Sequence, residues 1–235
     1  MLQKKKNGPK PTKNSHSFTD EAYRRIKQLI FNQEVVPGQK LVYDDLAKKL
    51  EMSRTPIINA LNRLEQHGLV MSESYRGFTV KPMDSKEAWD SFGAREAIEL
   101  FAVEQAIYIA DEKKMAALEE KVAEYDQYKP GYYDRKKMVT DIAIHLQIAE
   151  MSKNKVLKWQ LKLTLQHIYL RAHLNNYSLD RMTDAGDEHH RLLAKMKAED
   201  VPGSREIMRS HIHNDRTHVI GCISGDQEDN EDPFL

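Results

Sequence analysis

The feature that most constrains the fold is residues 41–80, where two short helical patterns, a turn and a hairpin pattern follow one another in fixed order. The first helical pattern has a narrow apolar edge of leucine and alanine. Ser53 then occupies an N-cap position, where its hydroxyl is expected to accept a first-turn amide hydrogen, and Pro56 is tolerated in that turn. A second helix is therefore predicted to begin near Arg54. Elements in this order predict a winged helix-turn-helix.

The second predicted helix separates an apolar stripe from a polar face that suits a DNA groove. The stripe residues recur at i, i+3, i+4 and i+7, and they are Ile57, Ala60, Leu61 and Leu64. Thr55, Asn59 and Asn62 lie on the opposite face, where asparagine can pair with adenine and threonine can contact a thymine methyl. Arg54 and Arg63 flank that face as candidate phosphate contacts.

A two-stranded wing is predicted over 69–73 and 78–81. Gly77 permits the turn between the strands, and Arg76 at its tip is a candidate for contact with a minor groove or a phosphate. The plain alternative for the whole stretch is a small helical core with a hairpin that does not touch DNA, since helix-turn-helix geometry also occurs in other proteins.

The distribution of charge supports a nucleic-acid partner for the first part of the chain. The formal net charge of the 235 residues is zero, but residues 1–82 hold 15 Lys+Arg and 8 Asp+Glu, which gives them +7 and leaves −7 for the remainder. Cys222 is the single cysteine, which excludes an intramolecular disulfide. No apolar run approaches the roughly 20 residues of a membrane helix. We therefore expect a cytoplasmic protein with no membrane partner.

The chain is predicted to be mainly α, with a winged helix-turn-helix followed by an all-α antiparallel helical bundle. The expected domains are a disordered basic arm (1–16), a DNA-binding domain (17–82), a helical effector and metal-binding domain (83–224) and an acidic tail (225–235). Asp84 and Glu87 resemble a capping box at the start of the bundle. Six helices are predicted near 84–110, 112–128, 133–151, 154–175, 178–199 and 203–223.

Three predicted helices of the second half carry ionisable residues on apolar faces. Asp141 and His145 are four residues apart and lie one above the other. His189 shares a stripe with leucine and methionine, whereas His190 lies about 100° round the helix. His211 likewise lies on an apolar stripe, whereas its neighbour His213 lies on the solvent side. One histidine of each pair therefore faces the bundle interior.

Asp141, His145, His189 and His211 can converge from three helices to supply three nitrogens and one carboxylate oxygen. Such a set suits zinc, nickel or manganese, and it leaves positions that water or a small carboxylate can occupy. The alternative is four polar residues that are satisfied by hydrogen bonds in a helical core.

Residues 18–82 resemble the N-terminal domain of GntR-family transcriptional regulators. The matching residues are Pro37-Gly38, Leu46-Ala47, Ser53-Arg54-Thr55-Pro56, Ala60-Leu61, Arg63-Leu64, Gly68-Leu69 and Arg76-Gly77. Where the family usually carries an Arg-Glu pair after a Pro-Val, this chain has Ile58-Asn59. A guanine-reading arginine is therefore missing, and the resemblance leaves the operator sequence open.

Residues 91–220 resemble the FCD ligand-binding domain of the FadR-type branch of that family, an all-helical bundle. The matching residues are Arg95, Glu99, Asp141, His145, Ser152, Asn154, Glu188, His189, Met208 and His211. In metal-containing members of that branch the aspartate and three histidines of this pattern hold the ion, and an organic-acid effector binds beside it. The resemblance therefore implies the same four metal ligands here and a small carboxylate effector.

Arg95 and Arg171 are the candidate effector-binding residues, because a guanidinium can hold a carboxylate through two parallel hydrogen bonds. The alternative is a structural role in salt bridges, for example between Arg95 and Glu99 at i, i+4.

Three classes of function compete: a ligand-responsive transcriptional regulator, a metal-dependent enzyme built on the bundle, and a DNA-binding protein without effector. The first uses every feature, and no paired nucleophile and base is evident in the sequence. We therefore expect a repressor that is not an enzyme, has no catalytic residues and binds a palindromic operator as a homodimer.

Overall fold

The computed structural model describes residues 13–73, 77–109, 111–127, 135–172 and 178–228. The chain divides into two compact units, 1–81 and 82–235, one residue from the boundary expected after residue 82. The fold is mainly α with a small antiparallel sheet in the first unit, as predicted. None of the helices in the described part of the chain is long and apolar enough to cross a membrane.

The first unit contains the predicted helix-turn-helix between a preceding helix and a small sheet. Its elements are α1 (Lys13–Phe31), β1 (Lys40–Leu41), α2 (Tyr43–Leu50), α3 (Arg54–Gln66), β2 (Val70–Glu73) and β3 (Gly77–Val80). Helix α1 packs against α3, where Ala22 and Ile26 are fully buried together with Ile57 and Leu61. This apolar interface turns the other face of α3 outward.

The turn between α2 and α3 is stabilised by backbone geometry. Glu51 ends α2 in the left-handed region, with φ +52°, and its amide donates to carbonyls of the preceding turn. Ser53 holds the extended backbone of an N-cap, but its side chain makes no capping hydrogen bond, so that part of the prediction was wrong. The carbonyl of Leu50 instead accepts a hydrogen bond from Arg25 Nη1 at 2.7 Å, which ties α2 to α1.

The sheet has three antiparallel strands in the order β1-β3-β2. Val70 pairs with Val80 in the predicted hairpin, and Lys40 pairs with Thr79 on the other edge of β3. The sequence did not predict β1, because a strand of two residues is too short to show an alternating pattern.

The second unit is a helical bundle built around a central helix. Its elements are α4 (Ser85–Ile109), α5 (Glu112–Gln127), α6 (Arg135–Met151), α7 (Lys155–Arg171), α8 (Leu179–Lys197) and α9 (Val201–Glu228). Helix α4 packs against α6, α7 and most extensively α9, and α8 packs against α5 and α9. Charged side chains of α4, α6, α8 and α9 therefore meet in the interior.

Side-chain caps mark three helix starts in this unit. Asp84 Oδ1 accepts the amide of Glu87 at 2.7 Å, as the capping-box pattern predicted. Asn154 caps α7 by accepting from the amide of Leu157, and Ser178 caps α8 in the same way.

Two helices extend further than the sequence predicted. Helix α1 begins at Lys13, inside the segment expected to be a disordered arm, since no Gly or Pro interrupts 13–16. Helix α9 runs from Val201 to Glu228, past the tail boundary expected at 225. Pro202 lies in its first turn, where proline is tolerated. A glycine at 225 costs a helix only about 1 kcal/mol, which is too little to end it.

Candidate metal centre and nucleic-acid interface

The bundle interior brings together the four predicted ligand residues. Asp141 and His145 come from α6, His189 from α8 and His211 from α9, and one ligand atom from each lies within 4.8 Å of all the others. His145 Nε2 is 3.1 Å from His211 Nε2 and 3.6 Å from Asp141 Oδ2, and His189 Nε2 is 3.3 Å from Asp141 Oδ1. Ligand atoms about 2.1 Å from a common ion lie roughly 2.9–3.4 Å apart when adjacent. The residues present therefore fit a single small cation.

His145 is oriented by a carboxylate behind it. Its Nδ1 donates to Glu99 Oε2 in a short hydrogen bond, which we use to assign the proton to Nδ1 and the lone pair to Nε2. Burial alone would raise the pKa of Glu99, but His145 and Arg95 outweigh burial and lower that pKa to about 2. Glu99 is thus an ionised acceptor, as in the carboxylate–histidine pairs that support metal sites.

His211 has a matching partner on the other side of the cluster. Its Nδ1 lies 2.7 Å from Glu188 Oε2, which leaves Nε2 to face the centre. Arg181 Nη1 donates to the same Glu188 oxygen at 2.9 Å. Burial alone would raise the pKa of Glu188, but the hydrogen bond with His211 and the charge of Arg181 outweigh burial and lower that pKa to about 2. If the proton of His211 is likewise assigned to Nδ1, the lone pairs on His145 Nε2 and His211 Nε2 lie 3.1 Å apart, an arrangement that a cation between them would stabilise.

His189 has a different environment. The residue is 2 % exposed, and neither ring nitrogen has a hydrogen-bond partner. Tyr125 packs edge-on against the ring at 5.0 Å between centroids. Burial first, and then the neighbouring histidines, hold the pKa of His189 well below its usual range, so the ring is neutral. A buried nitrogen without a partner costs about 1–3 kcal/mol, and a metal ion is one way to satisfy it.

The charges around the cluster also suit a divalent ion. Two guanidinium groups and four carboxylates contact the histidines or one another, a formal charge of −2 with the histidines neutral. They are Arg95, Arg181, Asp141, Glu99, Glu188 and Asp215. A divalent cation would neutralise this set.

Arg95, a predicted effector-binding residue, is completely buried in this network. Its Nε donates to Glu99 at 2.5 Å and its Nη1 to Asp215 at 2.7 Å, so the i, i+4 salt bridge considered as the alternative is present. Tyr169 also donates to Asp215, at 2.8 Å. Arg95 Nη2 lies 2.9 Å from His145 Nε2, so the guanidinium and a metal ion would compete for one lone pair.

Arg171, the second predicted effector-binding residue, forms an ion pair and a backbone hydrogen bond at the start of the second unit. Its guanidinium forms a bidentate ion pair with Glu87 and donates to the carbonyl of Pro82 at 3.0 Å. Arg171 is also absent from the lining of the small cavity next to Asp141 that is described below. The ion pair with Glu87 is the structural role considered as the alternative for this arginine, and an effector-binding role of Arg171 stays a prediction.

A small cavity adjoins the cluster and is lined by Tyr125, Lys137, Met138, Asp141, Tyr169, Met182 and Ala185. Its free volume is about 10 Å³, which suffices for one water molecule. Asp141 belongs to both the cavity and the ligand set, so the cavity reaches the cluster through this carboxylate.

In the first unit, α3 exposes the residues predicted to read DNA. Thr55, Asn59 and Asn62 are all exposed, on the side of α3 opposite the buried stripe. Ile58 is 37 % exposed and lies beside Asn59. The exposed face combines amide, hydroxyl and apolar groups, which are the groups that distinguish base edges in a major groove.

The two flanking arginines have carboxylate partners within the unit. Arg54 pairs with Asp44 through Nε at 2.5 Å and Nη2 at 2.9 Å. Arg63 pairs with Asp20 at 2.5 Å and lies over the ring of Tyr23. Exposed ion pairs of this kind contribute about 0–1 kcal/mol, so a phosphate can replace either carboxylate at low cost.

The remaining residues predicted to contact DNA, Arg76 and Gly77, belong to the wing. Gly77 begins β3 with φ +92°, in the left-handed region that favours glycine, and a Cβ there would lie 3.4 Å from the carbonyl oxygen of Leu41. Arg76 lies outside the described residues.

Several residues of the metal cluster's surroundings were missed by the sequence interpretation. Asp215 is a buried charge whose partner, Arg95, is 120 residues away, so no spacing rule identified it. Arg181 pairs with Glu188 seven residues further along α8, a helical spacing that the sequence interpretation did not use. Lys137 was missed although a signal existed: it precedes Asp141 by four residues, so both lie on one face of α6.

Two family profiles match the chain. Residues 18–80 match the bacterial regulatory proteins of the gntR family, and residues 90–214 match the FCD domain.

Two relatives and one solved structure match over most of their length. The uncharacterized HTH-type transcriptional regulator YdhC of Bacillus subtilis is 27 % identical over 211 residues, which cover 88 % of this chain and 92 % of YdhC. The HTH-type transcriptional repressor GlaR of Escherichia coli is 26 % identical and covers 82 % and 91 % of the two chains. Among solved structures, E. coli McbR/YncC has a similar fold, with a TM-score of 0.74, 22 % identity and coverage of 86 % of this chain and 96 % of its own.

Proposed function

Because the chain belongs to the gntR family of bacterial regulatory proteins and is a DNA-binding transcriptional regulator with an FCD domain, we propose that its DNA binding responds to a small organic acid. In this proposal the second unit binds a divalent metal ion through Asp141, His145, His189 and His211. The effector carboxylate binds beside that ion, and its binding changes the affinity of a homodimer for a palindromic operator in the bacterial cytoplasm.

The observation that carries the metal proposal is His189. Its two ring nitrogens are buried without hydrogen bonds, and Nε2 lies next to the ligand atoms of the other three residues. A divalent ion bound there supplies a Lewis-acid position for a carboxylate oxygen. Three neutral nitrogens and one carboxylate favour zinc, nickel or manganese over calcium or magnesium, which prefer oxygen ligands.

Arg95 is proposed to connect the metal ligands to the effector. Its Nη2 donates to the lone pair of His145 that a metal ligand must offer. When that lone pair is taken, the N–H group loses its acceptor while Glu99 and Asp215 still hold the rest of the guanidinium. A carboxylate beside the ligand set then provides a new acceptor for a charge-assisted hydrogen bond.

The first unit is proposed to bind DNA through α3, with the wing alongside. Thr55, Asn59 and Asn62 would read base edges, and Arg54 and Arg63 would exchange their carboxylate partners for phosphates. A single recognition helix reads only a few base pairs, so we propose that two copies bind two half-sites related by a two-fold axis.

We propose that the protein represses transcription and that the effector relieves this repression. One relative, GlaR, is named a repressor. A ligand can change operator affinity only to the extent that it binds one arrangement of the protein better than another.

The carboxylates of Glu99 and Glu188, beside the ligand set, are hydrogen-bonded to histidines. This supports a binding site over a hydrolytic one, which needs a base aimed at a reacting water.

The proposal is tested by operator titration. The full chain, loaded with zinc, is titrated with its operator in the presence and absence of small mono- and dicarboxylates. We expect at least one acid to lower operator affinity, and we expect chelation of the metal to abolish that response. An operator affinity that no carboxylate changes would refute the effector proposal.

A further inference from the structure

Lys137 lies on the same face of α6 as two of the metal ligands. Lys137, Asp141 and His145 are spaced at i, i+4 and i+8, so their side chains stand above one another on one side of the helix. One turn, about 6 Å along the axis, separates Lys137 from Asp141. The amino group of Lys137 and the carboxylate of Asp141 line the same cavity.

The ammonium group is held against the ring of Tyr125. Lys137 Nζ is 4.1 Å from the ring centroid, a cation–π contact. Tyr125 itself is 2 % exposed, donates to the carbonyl of Met182 at 2.6 Å and contacts His189 with its ring edge. The Tyr125 ring therefore contacts both the Lys137 ammonium and a ligand histidine.

The cavity between Lys137 and Asp141 has a pattern suited to a short diacid. Its charged groups are the Lys137 ammonium and the Asp141 carboxylate, and Met138, Met182 and Ala185 supply apolar wall. The present volume admits one water, so a larger ligand must displace a side chain. Lys137 is only half-buried and ends in a flexible stem, so it is the lining residue that moves most easily.

We propose that Lys137 binds a second acidic group of the effector, so that the site selects small dicarboxylic acids. This inference rests on the proposed function, in which the first carboxylate binds at the metal. A monocarboxylate bound at the metal has no second charged group to offer Lys137. An acid of three to five carbons with a carboxylate at each end has one.

The charge environment of Lys137 agrees with this role. Burial lowers the pKa of Lys137, while Asp126 and Asp141 act in the opposite direction. A carboxylate that arrives at Nζ adds a further favourable charge to a partly desolvated ammonium. Lys137 would thus contribute more to binding than a fully solvated lysine does.

The test compares acids of equal carbon number on the zinc-loaded full chain by isothermal titration calorimetry. The pairs are malonate and propanoate, succinate and butanoate, and glutarate and pentanoate. For one pair at least, we expect the diacid to bind about tenfold or more tightly than the monoacid. Lys137→Met should remove that preference, Lys137→Arg should retain most of it, and the exposed neighbour in Lys136→Met should leave it unchanged.

Metal content measured in parallel should be the same in all four proteins, because Lys137 is not a ligand. If the wild-type protein binds carboxylates but does not prefer any diacid, or if Lys137→Met keeps the preference, the inference is wrong and the proposed function stands. If the wild-type protein binds none of the six acids, the effector proposal fails and this inference fails with it.

Discussion

Substitution of His189 by alanine separates a metal ligand from an ordinary core residue, and the adjacent His190 provides a matched control. Neither ring nitrogen of the buried His189 has a hydrogen bond, whereas the His190 side chain is 53 % exposed and pairs with Asp126 on the surface. Both lie on α8 and lose the same atoms on substitution. Only His189→Ala should lose metal.

The magnitude follows from binding linkage. Metal present at 100 times its dissociation constant stabilises the folded state by about 2.7 kcal/mol. For a unit of this size that corresponds to a rise in Tm of about 5–11 °C. Mutation of a residue that hydrogen-bonds to a metal ligand weakens metal binding by up to roughly 100-fold. Loss of a ligand itself should weaken metal binding at least as much. At the same metal concentration the stabilisation then falls to about 0.4 kcal/mol, a rise of only about 1–2 °C.

The metal-free proteins should differ less. Alanine at 189 leaves a cavity, but it also removes nitrogens whose burial without partners costs about 1–3 kcal/mol. In His190→Ala only a surface ion pair is lost, worth about 0–1 kcal/mol.

The assay is thermal unfolding of each variant with chelator and with added zinc, together with elemental analysis after dialysis. We expect the zinc-dependent rise in Tm in the wild-type protein and His190→Ala, and its near absence in His189→Ala. The same contrast is expected between His211→Ala and His213→Ala. Equal metal content in the His189 and His190 variants would refute the site.

Three further predictions concern DNA and pH. Arg54→Ala should weaken binding to all DNA sequences and reduce the salt dependence of affinity by about one phosphate contact; an unchanged salt slope in anisotropy titrations would contradict this role. Selection from random DNA should yield A/T-rich half-sites, since Asn59 can pair with adenine and Ile58 can contact a thymine methyl; a G-rich core would be the opposite result. Without metal, stability should fall as pH drops below 6.5, because the unfolded chain then protonates His189 and His211 while burial keeps their folded-state pKa values lower. Each histidine contributes up to about 1.4 kcal/mol per pH unit. The free energy of unfolding, measured in urea, should therefore depend less steeply on pH in His189→Gln than in the wild-type protein. An unaltered pH dependence would count against a neutral buried ring.

The sequence predicted those features that depend on periodicity within one element. The stripe of Ile57 and Leu61 determines which side of α3 is buried, and so it predicts that Asn59 is exposed. The spacing of Asp141 and His145 places both on one face of α6. Such relations follow from the geometry of a single helix, which is the same in every protein.

Relations between distant helices were predicted less well. Arg171 has the right chemistry for a carboxylate ligand, but its partner proved to be Glu87, 84 residues away in sequence. Ser53 has the right position for a cap, but its side chain does not make the bond. Partner choice for a long, flexible side chain depends on three-dimensional packing, which helical spacing does not encode.

The clamp formed by Arg171 has a mechanical consequence. The first residues of the second unit are fastened to the end of α7 by three kinds of contact: the ion pair with Glu87, the bond to the Pro82 carbonyl, and the amide of Met83, which donates to the Arg171 carbonyl at 3.1 Å. The covalent link from the DNA-binding unit enters at this point. The end of α7 and the first residues of the second unit are therefore expected to move together, so that a displacement of either one is shared by the other.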